Sequence, residues 1–173
     1  MKKFLRTVRD LDRTLFRALF RLKWGPMSVV MRWFTLAGSA GALWGFIAAG
    51  AFLVTGFQIS NLIVPWGAIA LSWTLAEGTK HLFDRRRPFI RDTSIAPLIK
   101  TPSSSSFPSG HSATAGAGAL SLSVLYPALA ALILPAGILT MLSRIYLGVH
   151  YPFDVMVGAL IGVTTASAFL LVW

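Results

Sequence analysis

Two histidines, one aspartate and several cations recur at short, regular spacings in the second half of the chain. They fall in three blocks: Lys80 with Arg87-Pro88, then Pro108-Ser109-Gly110-His111, then Ser143-Arg144 followed by His150 and Asp154. All three lie among long apolar stretches, where charged and imidazole groups are costly. Such cations bind phosphate, and an oriented imidazole can attack it. The spacing therefore predicts a site that holds a phosphate group and transfers it.

The first two blocks would hold the phosphate. Lys80 ends an apolar span and Arg87 lies seven residues further on, so both can reach an anionic group at the membrane interface, one as a point charge and one as a planar fork. Ser109 precedes a helical span, which favours it as an N-cap and leaves free amides facing the pocket. Gly110 leaves room for a phosphate oxygen against the backbone. His111 is expected to act as the general acid.

The third block would supply the nucleophile. Arg144 closes one apolar span, and His150 opens the next. Asp154 follows His150 by four residues, so in a helix that begins near Tyr151 its carboxylate would lie beside the ring. There it can fix the tautomer and stabilise the cation that forms as the other ring nitrogen attacks phosphorus. The product would be a phosphohistidine, with charge on the equatorial oxygens balanced by Lys80, Arg87 and Arg144.

Several residues near these blocks have two interpretations each. Ser109 and Ser143 are included as phosphate contacts, although helix capping explains each about as well. Arg85, Arg86 and Arg91 either anchor a loop to anionic lipid or bind a second phosphate, and the sequence does not choose.

A two-metal site would need clustered carboxylates, and beyond residue 24 only four are available: Glu77, Asp84, Asp92 and Asp154. We therefore expect no metal ion and no cofactor.

Composition places the chain among membrane proteins. Its 173 residues are 55% hydrophobic and only 13% charged. The net charge of +10 does not indicate nucleic acid, because eight of the sixteen basic residues lie in the first 23 positions beside regularly spaced apolar residues. Cysteine is absent, which excludes a disulfide framework. The first residues lack the apolar core of a signal peptide, so we expect no cleaved leader.

Residues 1–24 are predicted to form a basic amphipathic helix at the membrane interface, ended by Gly25-Pro26. At helical spacing the apolar residues share one face and the basic residues the other. The apolar face is Phe4, Val8, Leu11, Leu15, Leu19 and Leu22, and the basic face is Lys2, Arg6, Arg9, Arg13, Arg17 and Arg21.

Residues 25–173 are predicted to form one all-helical membrane domain. A bilayer needs roughly 20 apolar residues per crossing. By that measure five spans are expected, at about 39–57, 61–80, 109–126, 127–147 and 153–173. The apolar piece at 27–37 is too short and is interpreted as re-entrant or peripheral, with a sixth span possible if it crosses. Residues 81–107 are a long loop rich in Arg, Pro and Ser, and loops of this length are usually functional or disordered.

The three blocks resemble the signature motifs of the type 2 phosphatidic acid phosphatase superfamily over about residues 39–173. No signature position departs from the pattern, and the combined blocks are highly specific. The resemblance implies a helical-bundle core, a nucleophile at His150 and an acid at His111. It also implies phosphate contacts from Lys80, Arg87, Ser109, Gly110 and Arg144.

The expected function is hydrolysis of a phosphomonoester or diphosphate on a membrane lipid. The family suggests phosphatidylglycerol phosphate, phosphatidic acid, undecaprenyl diphosphate or a lipid A 1-phosphate. A phosphotransferase that uses the same phosphohistidine is the second hypothesis, and a non-catalytic lipid-phosphate binder or transporter the third. Intact His111, His150 and Asp154 argue against a binder. The superfamily also includes soluble vanadate haloperoxidases. The apolar spans of this chain argue against that activity.

The side of the membrane is ambiguous. By the positive-inside rule, the basic amphipathic helix at residues 1–24 lies inside the cell. Five spans after it would then place the catalytic loops inside as well. Many bacterial family members have outward-facing sites, and a sixth span or a leader on the outer leaflet would allow the same here. On family grounds we expect a multi-pass protein of the bacterial inner membrane whose site faces outward. The oligomeric state is not predicted.

Overall fold

Eight α-helices make up most of the chain over residues 2–173, the part that the computed structural model describes; the side chains of Lys2, Phe4 and Leu5 lie outside the described part. No β-strand occurs in this range. The helices are α1 (Lys2–Phe20), α2 (Gly25–Ala37), α3 (Ala42–Val54), α4 (Ser60–Thr79), α5 (Pro88–Arg91), α6 (Gly110–Leu125), α7 (Ala130–Tyr146) and α8 (Pro152–Val172). Short 3₁₀ turns follow α2, α4 and α6. The predicted all-helical fold is confirmed.

Two segments within residues 2–173 are long and apolar enough to cross a membrane alone: Pro127–Tyr146 and Pro152–Val172. Gly25–Ala37 and Ser39–Val54 meet the requirement together, but the pair is bent by 52°. Helix α6 has 16 residues, which gives about 24 Å against a hydrocarbon core of about 30 Å. It is mostly buried among other helices, so it does not have to match the lipid. The count of five or six spans stays a prediction.

Small side chains let α6 lie at the centre of the bundle. It packs against α4, α7 and α8, most extensively against α8. A Cβ added to Gly158 of α8 would collide with the Ser109 carbonyl, and one on Gly162 with the Ala113 carbonyl. Close backbone approach through small residues is the usual way in which membrane helices associate. This close approach fixes α8 against the start of α6.

Helix α1 has a buried face that its apolar pattern did not predict. Asp12 is fully buried and Phe16 is 1% exposed, whereas Leu11 and Leu15 on the predicted apolar face are exposed. These leucines are free to contact lipid while the Asp12 face contacts the bundle. The faces expected for Lys2 and Phe4 lie outside the described side chains.

The predicted end of the amphipathic helix at Gly25-Pro26 is wrong. Helix α1 ends at Phe20, and Gly25-Pro26 begins α2, with proline in the first turn where its missing N–H is tolerated. The junction is held by Tyr146 at the end of α7, whose hydroxyl accepts from the Trp24 amide at 2.8 Å. The junction between α1 and α2 is thereby fixed at the same end of the bundle as the loop that follows α7.

Candidate active site

The three sequence blocks meet at one end of the bundle, where α4 and α7 end and α6 and α8 begin. The Ser109 amide donates to the Asp154 carbonyl at 3.0 Å, which joins the second block to the third. Arg87 Nη1 donates to the Val149 carbonyl at 2.9 Å, which joins the first block to the third. These contacts to backbone carbonyls bring together residues that lie up to 62 positions apart in the sequence.

His150 lies at the centre of this junction and is 2% exposed. Its Nδ1 is 2.7 Å from the Ser106 carbonyl oxygen, and its Nε2 is 3.1 Å from Nη1 of Arg87. A carbonyl only accepts and a guanidinium only donates, so a neutral ring with its proton on Nδ1 satisfies both contacts. The Nε2 lone pair then points toward the cations.

Asp154 lies beside His150, but its oxygens bond elsewhere. Its Oδ2 is 3.6 Å from Nδ1 of His150, which is too long for a hydrogen bond, and accepts from the Tyr151 amide at 2.8 Å. Its Oδ1 accepts from Nη1 of Arg85 at 2.6 Å. The helix starts where the sequence predicted, but Ser106 is the residue that bonds Nδ1. Asp154 is left as a fully buried charge next to the ring.

Arg87 connects the nucleophile candidate to the serine-rich loop and is 1% exposed. Its Nε donates to the Ser104 carbonyl at 2.8 Å, and its Nη2 donates to the Ser105 carbonyl at 3.2 Å. The guanidinium therefore holds the loop against His150. A planar fork is needed for this, because several acceptors lie at fixed angles around one side chain.

Lys80 lies on the α4 side of the junction. Its Nζ donates to Glu77 Oε1 at 2.6 Å and lies 3.4 Å from Ser104 Oγ, and the side chain is 9% exposed. Glu77 precedes Lys80 by three residues, a spacing that places the two side chains on one face at the end of α4. Gly110 faces the same carboxylate, because a Cβ at this position would lie 2.6 Å from Glu77 Oε1.

Arg144 and His111 line a cavity of about 450 Å³. Arg144 is 4% exposed and donates through Nη1 to the Thr35 hydroxyl, while its buried Nε has no hydrogen-bond partner among the described residues. His111 Nε2 is 3.4 Å from the Ser39 hydroxyl. The bend after α2 therefore brings Thr35 and Ser39 to the site. An unpartnered guanidinium N–H beside a cavity suits an incoming anion.

The hydroxyls of Ser109 and Ser143 bond within their own helices. Ser109 Oγ accepts from the Ser112 amide at 3.3 Å, as an N-cap does. Ser143 Oγ donates to the Thr140 carbonyl at 2.6 Å. Phosphate contact by these two side chains stays a prediction. The capping alternative is the arrangement that Ser109 adopts.

The electrostatic setting of His150 favours the neutral ring. Burial lowers its pKa well below the ordinary value of 6.5, and the charges of Arg144, Arg87 and Lys80 lower it further. The Ser106 contact acts in the opposite direction and is weaker. A neutral imidazole keeps the lone pair that a nucleophile needs.

Sequence reasoning missed Ser106, Thr35 and Ser39, and left Arg85 undecided. Ser106 acts through its backbone carbonyl, which no residue type marks. Thr35 lies in the piece at 27–37 that was interpreted as re-entrant or peripheral, and Ser39 lies at the start of the first predicted span. Only the distant Arg144 and His111 give them a role. Arg85 bonds Asp154 and the buried Asp12. The run of three arginines at 85–87 was the available signal, because adjacent cations in a short loop need acceptors.

Family comparison agrees with the geometry. The profile of the PAP2 superfamily matches residues 61–173, a range that contains all three blocks. The chain belongs to the PAP2 superfamily. The resemblance stated from the motifs is thus confirmed, although the match begins at 61 rather than near 39. Helices α1, α2 and α3 lie outside it.

Curated relatives of this PAP2 chain are lipid phosphatases by name. A decaprenylphosphoryl-5-phosphoribose phosphatase of Mycolicibacterium smegmatis is 42% identical over 64% of this chain and 59% of that protein. An undecaprenyl-diphosphatase of Sulfolobus acidocaldarius is 31% identical over 55% of this chain and 47% of that protein. A lipid A 1-phosphatase of Rhizobium johnstonii is 34% identical over 54% of this chain and 40% of that protein. The chain spans about half the length of the curated relatives it matches.

Two solved structures share the fold over nearly the whole chain. The LpxE protein of Aquifex aeolicus superposes with a TM-score of 0.79 at 28% identity, covering 92% of this chain and 94% of that one. A transmembrane PAP2 type phosphatidylglycerolphosphate phosphatase of Bacillus subtilis superposes with a TM-score of 0.76 at 26% identity, covering 95% and 85%. The helical bundle is therefore that of membrane PAP2 proteins, and the chain is a membrane protein.

The setting of His150 predicts its protonation state. As pH falls through 6.5, the ring should stay neutral with its proton on Nδ1, because its pKa lies well below that value. The measurement is ¹⁵N NMR of histidine-labelled protein in detergent, with a His150→Gln variant to identify the resonance. Half-protonation at pH 6.5 or above, or a proton on Nε2, would contradict the assignment.

Proposed function

We propose that this PAP2 protein is an integral membrane phosphatase that hydrolyses the phosphomonoester or diphosphate of a lipid through a phosphohistidine at His150. The observation that carries the proposal is the environment of Nε2. The ring is buried and bonded at Nδ1 to a carbonyl, and its Nε2 lone pair accepts from Nη1 of Arg87, a contact that a bound phosphate oxygen would replace. A binding site for phosphate alone would not need an oriented, neutral imidazole.

The first step forms the covalent intermediate. The Nε2 lone pair attacks phosphorus, a P–N bond forms, and the bond from phosphorus to the ester or anhydride oxygen breaks. The ring becomes a cation that keeps its proton on Nδ1. Nδ1–H donates a hydrogen bond to the Ser106 carbonyl, and the Asp154 carboxylate at 3.6 Å stabilises the positive charge.

His111 is proposed as the acid of this step. It lines the 450 Å³ cavity beside Arg144, so the cavity would receive the leaving group while His111 gives a proton to the departing oxygen. In the second step water attacks phosphorus and passes its proton back to His111. The P–N bond breaks, inorganic phosphate leaves, and His150 is neutral again.

Charge on the transferred phosphoryl group is proposed to be balanced by Lys80, Arg87 and Arg144. Arg144 offers its unpartnered Nε, and Arg87 offers the Nη1 that contacts His150 in the resting site. Lys80 would exchange part of its pairing with Glu77 for a phosphate oxygen. With three cations in place, the reaction needs no metal ion.

The substrate is proposed to be a lipid phosphate whose chain lies between helices while its headgroup enters the cationic pocket. The names of the relatives support this class, since they include phosphatases of polyprenyl lipids and of lipid A. A hydrophobic groove distinguishes chains weakly, at about 1–3 kcal/mol per methylene. The choice among phosphatidylglycerol phosphate, phosphatidic acid, undecaprenyl diphosphate and lipid A therefore needs a direct assay.

Phosphate release from a panel of these four lipids in detergent and excess chelator tests the function. We expect wild-type protein to release phosphate from at least one lipid without an added acceptor. His150→Ala should lower kcat by roughly 10⁴-fold or more, because the nucleophile is lost. His81→Ala is the matched control, since His81 is exposed and belongs to none of the three blocks, and it should retain activity.

Four outcomes would overturn parts of this proposal. Release only with an added lipid acceptor would indicate a phosphotransferase, and no release from any lipid would indicate a binder. Full activity in His150→Ala would exclude it as the nucleophile. Activity that disappears in chelator and returns with magnesium would contradict charge balance by the three cations.

We propose that the catalytic end faces outward in a bacterial inner membrane, as the resemblance implies. The Asp12 contacts place α1 at this same end, so α1 then lies on the outer leaflet, against the positive-inside rule. The chain has no cysteine, and Ser103 is exposed in the serine loop. A Ser103→Cys variant should react with a membrane-impermeant thiol reagent in intact cells. Labelling only after permeabilisation would place the site and α1 inside.

A further inference from the structure

Asp12 is an acidic residue in a basic helix, and it is fully buried. Its Oδ1 accepts from the Phe153 amide at 2.9 Å, in the first turn of α8. Its Oδ2 accepts from Nη2 of Arg85. A buried carboxylate is costly unless it is paired, and both oxygens of Asp12 are paired with groups next to Asp154.

Arg85 joins this carboxylate to the one beside the nucleophile. Its Nη2 bonds Asp12 and its Nη1 bonds Asp154 at 2.6 Å, so each carboxylate has its own nitrogen of one planar fork. The guanidinium carbon also lies 4.5 Å from the centre of the Tyr151 ring. Arg85 is thereby fixed from three sides, and the Asp154 carboxylate is held in place by it.

We propose that Asp12 and Arg85 are positioning residues for the reaction, acting through Asp154 on His150. Asp154 does not bond His150 but lies 3.6 Å from it, so its effect on the imidazolium depends on where Arg85 holds it. Asp12 fixes Arg85, and through the Phe153 amide it also fixes the helix start that carries Asp154. The proposal rests on the phosphatase reaction proposed above.

The arrangement gives the interfacial helix a part in catalysis. Helix α1 lies outside the range matched by the family profile, yet it supplies the last member of the series His150, Asp154, Arg85, Asp12. Its Leu11 and Leu15 are exposed on another face, where they can contact lipid. Binding of α1 to the membrane surface through these leucines would therefore hold Asp12 against Arg85.

A second ion pair between α1 and the same loop supplies a matched control. Arg17 Nη2 lies 3.2 Å from Asp92 Oδ2, with the two side chains 63% and 32% exposed. This pair also docks α1, but it does not touch Asp154. An Asp92→Asn variant therefore removes a contact of α1 without reaching His150.

The experiment is a double-mutant cycle on purified full-length protein with the lipid that the panel identifies. Wild type, Asp12→Asn, Arg85→Gln, the double variant and Asp92→Asn are compared for kcat, KM and thermal unfolding in one detergent. Asn keeps an acceptor for the Phe153 amide while removing the charge that Arg85 needs. Should Arg85→Gln not fold, Arg85→Lys takes its place, because one ammonium cannot reproduce two separate nitrogen contacts.

We expect Asp12→Asn to lower kcat by about tenfold and Arg85→Gln by up to about a hundredfold, with KM unchanged, because displaced supporting groups cost this much. The double variant should match Arg85→Gln alone, since Asp12 acts through Arg85. Asp92→Asn should keep wild-type kcat.

The inference is overturned if Asp12→Asn keeps wild-type kcat, if Asp92→Asn lowers kcat as much as Asp12→Asn, or if the two losses multiply in the double variant. The second result would show that Asp12 only docks α1, and the third that Asp12 acts independently of Arg85. These outcomes all require an active wild type that is inactivated by His150→Ala. A failure of the proposed function would therefore be seen separately, as an inactive wild type or as a His150→Ala variant that keeps its activity.

Discussion

Arg87 and Arg144 are buried, and Lys80 is largely buried, at one end of the bundle around a neutral histidine, where like charges repel and bulk water solvates them little. Each needs acceptors, and the local structure supplies them: Glu77 for Lys80, loop carbonyls for Arg87 and the Thr35 hydroxyl for Arg144. Among the described residues, Glu77 is the one carboxylate in an ion pair with any of the three, and Asp154 is paired with a fourth cation, Arg85. The site therefore keeps excess positive charge. An anion with several oxygens would complete the set, which is why the geometry suits a phosphate group.

Rigid packing beneath the site holds these groups in place. Glycines on α8 let its backbone contact the start of α6, so the helix that carries His111 and the helix that carries Asp154 cannot shift independently. The loop before α6 bonds His150 through Ser106 and Arg87 through Ser104 and Ser105. A serine-rich stretch that looks flexible in the sequence is thereby tied to the nucleophile on one side and to a buried guanidinium on the other.

The sequence predicts the site better than it predicts what supports the site. The three blocks have residue types and spacings that few alternatives share, so their meeting at one end of a helical bundle could be predicted. Ser106 could not, because its contribution is a backbone carbonyl. Asp12 belongs to none of the three blocks, and only the position of Arg85, 73 residues away, makes it a buried partner. The end of α1 was misplaced because Gly25-Pro26 is as compatible with starting a helix as with ending one.

In the proposed mechanism, a covalent bond forms between phosphorus and His150 Nε2. Rapid quenching of wild-type protein with a lipid labelled at its terminal phosphate with ³²P tests this directly, followed by peptide mapping. We predict a transient label on the peptide that contains residue 150, stable in alkali and lost in acid as a phosphohistidine is, and absent from His150→Ala. A label on another residue, or rapid phosphate release with no labelled protein at any time, would contradict the account.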